Sequence, residues 1–193
     1  MIKRLCMITL LGSMVLTGCV PVVVAAGATA GGVVIYDNRS FKQMHTDSQL
    51  SAAAKNQIES DATLKNDAHI NVCVYNSLLL LTGQAPTPQL RDQAYQLVSS
   101  VQGVKHIYNE IIVEPPISNQ QKLKDTWITT KVKSAMLAQS GLKSTNIRVS
   151  TENGVVFLMG DVSQNQAHLA ADVARRVSGV KQVVKVFDYP SAQ

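Results

Sequence analysis

Ser140 and Lys143 stand three residues apart, the S-x-x-K spacing at which one helical turn lets a lysine amine activate a serine hydroxyl, as in penicillin-binding enzymes. Gly141 lies inside the motif and breaks the helix that such a nucleophile needs. The partner motifs S-D-N and K-T-G are absent from the chain. His45, His69, His106 and His168 show no metal-ligand spacing, and His106 and His168 read as surface residues of helix ends. No glycine-rich loop follows a strand in a phosphate-cradling pattern. The sequence therefore offers no catalytic centre, no metal site and no cofactor site.

The thiols carry more. Lys3 and Arg4 form a positive start, Leu5 to Leu16 an apolar stretch, and Leu16-Thr17-Gly18-Cys19 a small-residue exit, which is the anatomy of an export signal. The apolar run is too short to cross a bilayer core of about 30 Å as a helix. Leu-Thr-Gly-Cys resembles a bacterial lipobox, the motif read by signal peptidase II. That resemblance implies cleavage before Cys19, diacylglycerol on its thiol and N-acylation, for example with palmitate. The alternative is a plain signal anchor with an incidental cysteine. Each buried acyl CH₂ contributes roughly 0.8 kcal/mol, so several chains anchor almost permanently. Val20 and Pro21 follow the cysteine, without the aspartate that retains lipoproteins in the inner membrane, so the resemblance points to the outer membrane. With Cys6 removed and Cys19 acylated, Cys73 is alone in the mature chain. Its neighbours Ile70, Val72 and Val74 give it the context of a sheet residue.

Val20 to Tyr36 is a second uncharged run, with Gly27 and Gly31 spaced as in G-x-x-x-G. It reads as a weak membrane span, a helix-pairing surface or a flexible segment hugging the bilayer; Pro21 and three glycines favour the last. Across the 193 residues, 46% are hydrophobic and 16% charged, which excludes a wholly disordered chain. Long charge-free runs occur only in the first forty residues or so, which excludes a polytopic membrane protein.

The elements that must position any site come in two copies. His69-Ile70-Asn71-Val72 falls on Asn146-Ile147-Arg148-Val149, and Leu78 to Gly83 on Val155 to Gly160, each 77 residues on. Val101-Gln102-Gly103-Val104-Lys105 falls on Val177-Ser178-Gly179-Val180-Lys181, 76 residues on. Glu114-Pro115-Pro116 and Ser118 to Gln121 form the linker. The spacing predicts, in each copy, a helix N-capped by Asp47 or Asp125, then a β-branched strand such as Ile147 to Thr151. In the second copy a tight turn at Asn153-Gly154 leads into Val155 to Met159. A second helix, through Leu169, Val173 and Val177, stops at Gly179, and a final strand runs from Val180 to Tyr189. The order is αββαβ, with an antiparallel hairpin and a parallel final pair. The fold class is thus α+β, each unit placing two helices on one face of a three-stranded mixed sheet.

The helix–strand–strand–helix–strand order, the glycine closing the second strand and the Val-x-Gly-Val after the second helix resemble BON domains. Two such units behind a lipobox are similar to the dual-BON outer-membrane lipoproteins. Asp125 to Val132, Thr151 to Gly160 and Val177 to Lys181 carry that resemblance most strongly; the helix before Ile70 carries it poorly. The organisation expected is a signal peptide over 1–18, a lipidated N-terminus and linker over 19–46, BON units over 47–113 and 122–190, and a linker over 114–121. The resemblance implies phospholipid binding on the first helix of the second unit, support of envelope integrity and action at the division site, with envelope or division proteins as candidate partners.

Charge divides the units. Residues 47–113 carry four basic and six acidic side chains, or −2, and residues 120–189 ten and five, or +5. A basic surface facing anionic lipid gains roughly 1 kcal/mol per residue; a periplasmic address removes nucleic acid as a partner. On a helical wheel Ile128, Val132, Ala135 and Met136 cluster within roughly 100° as the core face. Trp127 lies about 120° and Leu137 about 160° from its middle, with Thr130 and Ser134 between them and Lys131 and Lys133 at the margins. Apolar groups able to enter the headgroup region, framed by cations for phosphates, suit an interfacial contact. The matching helix of the first unit has Gln49, Ala53 and Glu59 where the second has Trp127, Lys131 and Leu137. The expectation is an outer-membrane lipoprotein that binds phosphatidylglycerol or cardiolipin through Trp127, Thr130, Lys131, Lys133, Ser134 and Leu137. Two alternatives stand beside it: packing of Trp127 and Leu137 against the first unit or linker, and a periplasmic protein-docking or chaperone module for outer-membrane assembly.

Overall fold

A computed structural model describes residues 39–189. The signal segment, Cys6, the lipobox with Cys19 and the run to Tyr36 lie outside the described residues. The first unit comprises α1 (Phe41–Ser60), α2 (Ala62–Asp67), β1 (His69–Tyr75), β2 (Leu78–Ala85), α3 (Pro88–Ser99) and β3 (His106–Val113). The second comprises α4 (Asn119–Ala138), a 3₁₀ turn (Ser144–Asn146), β4 (Ile147–Glu152), β5 (Val155–Asp161), α5 (Gln164–Arg175) and β6 (Gln182–Asp188). In each sheet the middle strand pairs antiparallel with the strand before it and parallel with the strand after the crossover helix. The αββαβ plan holds, and the first unit adds α2, a single turn capped by the Asp61 carboxylate.

The middle strands explain the layering. Alternate side chains of a strand point to opposite faces. Leu79 and Leu81 join the cluster beneath α1 and α3, and Val156 and Leu158 the one beneath α4 and α5. Leu78 and Leu80 face the other way and meet Phe157, Met159, Val186, Cys73 and Tyr75 in a third cluster between the two sheets. The unbroken run Leu78-Leu79-Leu80-Leu81 is thus buried on both sides, as an alternating strand with one wet face would not be. The molecule has four layers: helices, sheet, sheet, helices.

Asp47 and Asp125 are not N-caps. Ser40 and Ser118 cap the helices by accepting the Gln43 and Gln121 amides, so each helix begins two turns earlier than the sequence suggests, and α4 starts at Asn119, inside the stretch read as linker. The two aspartates are buried within their helices and reach across to the hairpin turn. Asp47 accepts the backbone N–H of Asn76 and Ser77 at 2.8 and 2.9 Å; Asp125 accepts those of Asn153 and Gly154, both at 2.8 Å. Gln43 and Gln121, one turn earlier, each donate a side-chain N–H to the same carboxylate at 2.9 and 3.0 Å. The turn residues have positive φ, 50° and 65° in the first unit and 48° and 78° in the second, which points the two amides inward together. Gly83 and Gly160 close the other end of each hairpin: a Cβ at either would drive into the carbonyl oxygen of His69 or Asn146.

Replacing Asp125 with Ala strands two amides whose only acceptor was that carboxylate. The expected loss is about 3 kcal/mol of unfolding free energy, against about 1 kcal/mol for the cap variant Ser118→Ala, read from urea denaturation midpoints.

Candidate functional site: the outer face of α4

The clamp at Asp125 and the buried row Ile128, Val132 and Met136 fix how α4 is rotated on its sheet. The opposite side is left to solvent. Trp127 is 62% exposed and Leu137 49% exposed. Thr130, Lys133 and Ser134 are exposed on the same side, Thr130 donating its hydroxyl to the Thr126 carbonyl within the helix at 3.0 Å. Ala135 packs against the core as the wheel requires.

Lys131 plays a different part from the one its position suggests. Its ammonium lies 3.6 Å from the centre of the Trp127 ring and donates to the Ser178 carbonyl oxygen in the turn after α5. The lysine braces the indole from one side and ties α4 to the α5–β6 turn. Lys124 and Lys133, both exposed, are the cations that point to solvent beside the stripe.

Leu123, 72% exposed, lies one turn before Trp127 and extends the apolar stripe to Leu123, Trp127 and Leu137. The wheel that finds Trp127 also finds Leu123 once the helix is started at Asn119; placing the N-cap at Asp125 hid it. On α1 the matching outer positions Gln49, Ala53 and Glu59 are all exposed, and Glu59 meets Lys55 at 3.6 Å.

No group of three metal-ligating side chains occurs among the described residues, and no described helix is long and apolar enough to cross a membrane. Ser140 and Lys143 lie in a loop where Gly141 has φ +78°. His106 opens β3, edge-on to Tyr108 at 4.4 Å, and His168 lies within α5; both are exposed, but neither is at a helix end.

A second polar feature, absent from the sequence reading, joins the two units. Glu152 ends β4 and is only 5% exposed. It accepts Asn71 Nδ2 at 2.7 Å and Gln84 Nε2 at 3.0 Å, with His69 Nε2 3.6 Å away. All three belong to the first unit. Burial raises the Glu152 carboxyl above its ordinary value, opposed by the hydrogen bonds from Gln84 and Asn71. Burial also lowers His69, with Lys122 adding to the effect.

With this geometry in view, the comparisons with known proteins agree on a class. The BON domain pattern matches residues 46–115 and again 124–190. The chain belongs to the BON-domain family. Within that family it is a DolP-like lipoprotein: the outer membrane lipoprotein DolP of Haemophilus influenzae is 44% identical over 181 residues, 93% of each chain. The 21 kDa hemolysin of Actinobacillus pleuropneumoniae is 45% identical over 79% of each chain, and the osmotically-inducible protein Y of Escherichia coli is 29% identical over 71% of this chain and 69% of its own.

A carboxyl whose value is raised by folding holds its proton more tightly when folded, so acidification toward the ordinary value adds stability. Relative to Glu152→Gln, the native chain is expected to gain stability as pH falls from neutrality through the raised Glu152 value toward 4.5. His69 acts in the opposite sense below 6.5 but is present in both proteins. Urea midpoints of the pair across that range give the sign directly.

Proposed function

We propose that the second BON unit binds anionic phospholipid, phosphatidylglycerol or cardiolipin, through the outer face of α4. Acylated Cys19 would hold the chain at the periplasmic face of the outer membrane. The observation that carries the reading is the solvent-facing stripe of Leu123, Trp127 and Leu137, bordered by Lys124 and Lys133, on a helix whose counterpart in the first unit is polar at the same positions. An indole and two isobutyl groups enter the headgroup boundary while ammonium groups meet phosphates. The similarity to the outer membrane lipoprotein DolP of Haemophilus influenzae supports the address. Anchor and lipid-reading helix act together: the anchor fixes attachment, and the helix adds selectivity for lipid composition. On this reading the protein supports envelope integrity and concentrates where anionic lipid does, at the division site.

A fragment spanning 37–193 is expected to co-sediment with vesicles containing phosphatidylglycerol or cardiolipin and to remain in solution with purely zwitterionic ones. Raising salt weakens the binding. Trp127→Glu should abolish it and Leu123→Glu should weaken it at least tenfold, with far-ultraviolet circular dichroism unchanged in both. Equal binding by wild type and Trp127→Glu removes the site. A stoichiometric protein partner that crosslinks at Trp127 regardless of lipid would support a docking module instead.

A further inference from the structure

Trp127 is the single tryptophan of the chain, and one face of its ring is already occupied. The Lys131 ammonium stands 3.6 Å from the ring centre, within the range of direct cation–π contact. The ring is not its only hold. The same ammonium donates to the Ser178 carbonyl oxygen in the turn after α5, so a second element of the unit keeps it over the indole. Lys124 and Lys133, in contrast, are exposed along the borders of the apolar stripe.

The first unit, stacked across the sheet-to-sheet seam, shows that the fold does not require this lysine. Gln49 and Ala53 stand where Trp127 and Lys131 stand, yet α1 packs on its own sheet with the same aspartate clamp. Ring and cation are present together in one unit and absent together in the other. The pair therefore serves the exposed face of α4 rather than its packing.

An exposed indole is not selective by itself. Its face attracts ammonium groups, and a zwitterionic phospholipid carries one, choline or ethanolamine, outside its phosphate. A bare Trp127 would gain with such headgroups a contact that anionic ones lack. With Lys131 on the ring that attraction is already satisfied. The ammonium fills one face, and a headgroup cation on the other face would meet a like charge across the ring. Phosphatidylglycerol and cardiolipin bring no cation, so only their phosphates meet the lysine.

We propose that Lys131 sets the headgroup selectivity of the α4 face: by occupying the Trp127 ring it excludes the ammonium groups of zwitterionic lipid and leaves anionic phosphate as the favoured neighbour. Lys131 is a positioning residue that acts through Trp127, and its part in specificity is a repulsive one. The inference rests on α4 being the lipid-binding face. It divides the cations of that face into two kinds: Lys124 and Lys133 attract phosphate, whereas Lys131 rejects ammonium.

The test uses the full lipidated chain, held by its anchor in vesicles of phosphatidylcholine alone or of phosphatidylcholine mixed equally with phosphatidylglycerol. Emission from the single tryptophan, and its quenching by lipid brominated on the acyl chains, report whether the indole has entered the bilayer. The native chain is expected to engage the mixed vesicles and to keep its indole in water on phosphatidylcholine. In Lys131→Gln the ratio of engaged to free indole on phosphatidylcholine rises about fivefold, while Lys124 and Lys133 maintain engagement of the mixed vesicles. Lys131→Arg keeps the native selectivity, because guanidinium also stacks on aromatic faces. Lys133→Gln removes the same charge without uncovering the ring, so it weakens engagement of the mixed vesicles and gains nothing on phosphatidylcholine. Three results overturn the inference and leave the lipid-binding face standing: equal engagement of both vesicles by the native chain, native discrimination in Lys131→Gln, or a gain on phosphatidylcholine in Lys131→Arg or Lys133→Gln as large as that in Lys131→Gln. A native indole that enters neither vesicle overturns the lipid-binding reading and this inference with it.

Discussion

A carboxylate buried in the middle of a helix, holding the two amides of a hairpin turn, is the constraint on which the rest of this molecule depends. A buried charge is costly unless hydrogen-bonded on every side, and Asp125 meets that condition only in one arrangement of helix, hairpin and Gln121. The helix cannot rotate about its axis without stranding either the carboxylate or the amides. Its apolar row settles onto the sheet in that same rotation. The face carrying Trp127 is therefore turned outward by chemistry at Asp125, on the next face of the same helix.

Repetition of the device in Asp47 shows what the duplication has kept and what it has released. Capping serine, glutamine one turn before the aspartate, positive-φ turn and strand-closing glycine recur in both units. The outer faces and the seam have diverged. One helix shows glutamine, alanine and glutamate to solvent, the other tryptophan, lysine and leucine; one end of the seam carries Glu152, the other Tyr75. On the outer faces such divergence is cheap, because surface changes away from the clamp cost little stability.

Much of this was legible before any coordinates. The 77-residue register, the hairpin turn at Asn153-Gly154 and the crossover helix follow from period and turn chemistry, and they are the fold. Trp127 and Leu137 were legible as outward residues because the core row Ile128, Val132 and Met136 is strictly periodic. The aspartates misled: an aspartate ahead of an apolar row reads as a cap from local spacing alone. Only the hairpin, 28 residues away in sequence, reveals its other use. Leu123 was lost with that boundary. Glu152, in a Glu-Asn-Gly string, reads as a turn residue, because no pattern within one unit announces that the other unit supplies its donors. Lys131 reads as a free cation because its acceptor, Ser178, lies in the same unit but 47 residues on. Contacts between segments distant in sequence, within a unit or across the seam, are what single-sequence periodicity cannot carry.

Stacking the units back to back through their sheets has an electrostatic consequence. The acidic half and the basic half occupy opposite ends of one rigid pile, so the molecule is a permanent dipole whose positive pole coincides with the α4 layer. In the field above a negatively charged sheet of headgroups, such a body experiences a torque before it makes any contact. Approach then becomes pre-aligned, with the negative pole swung toward the aqueous side.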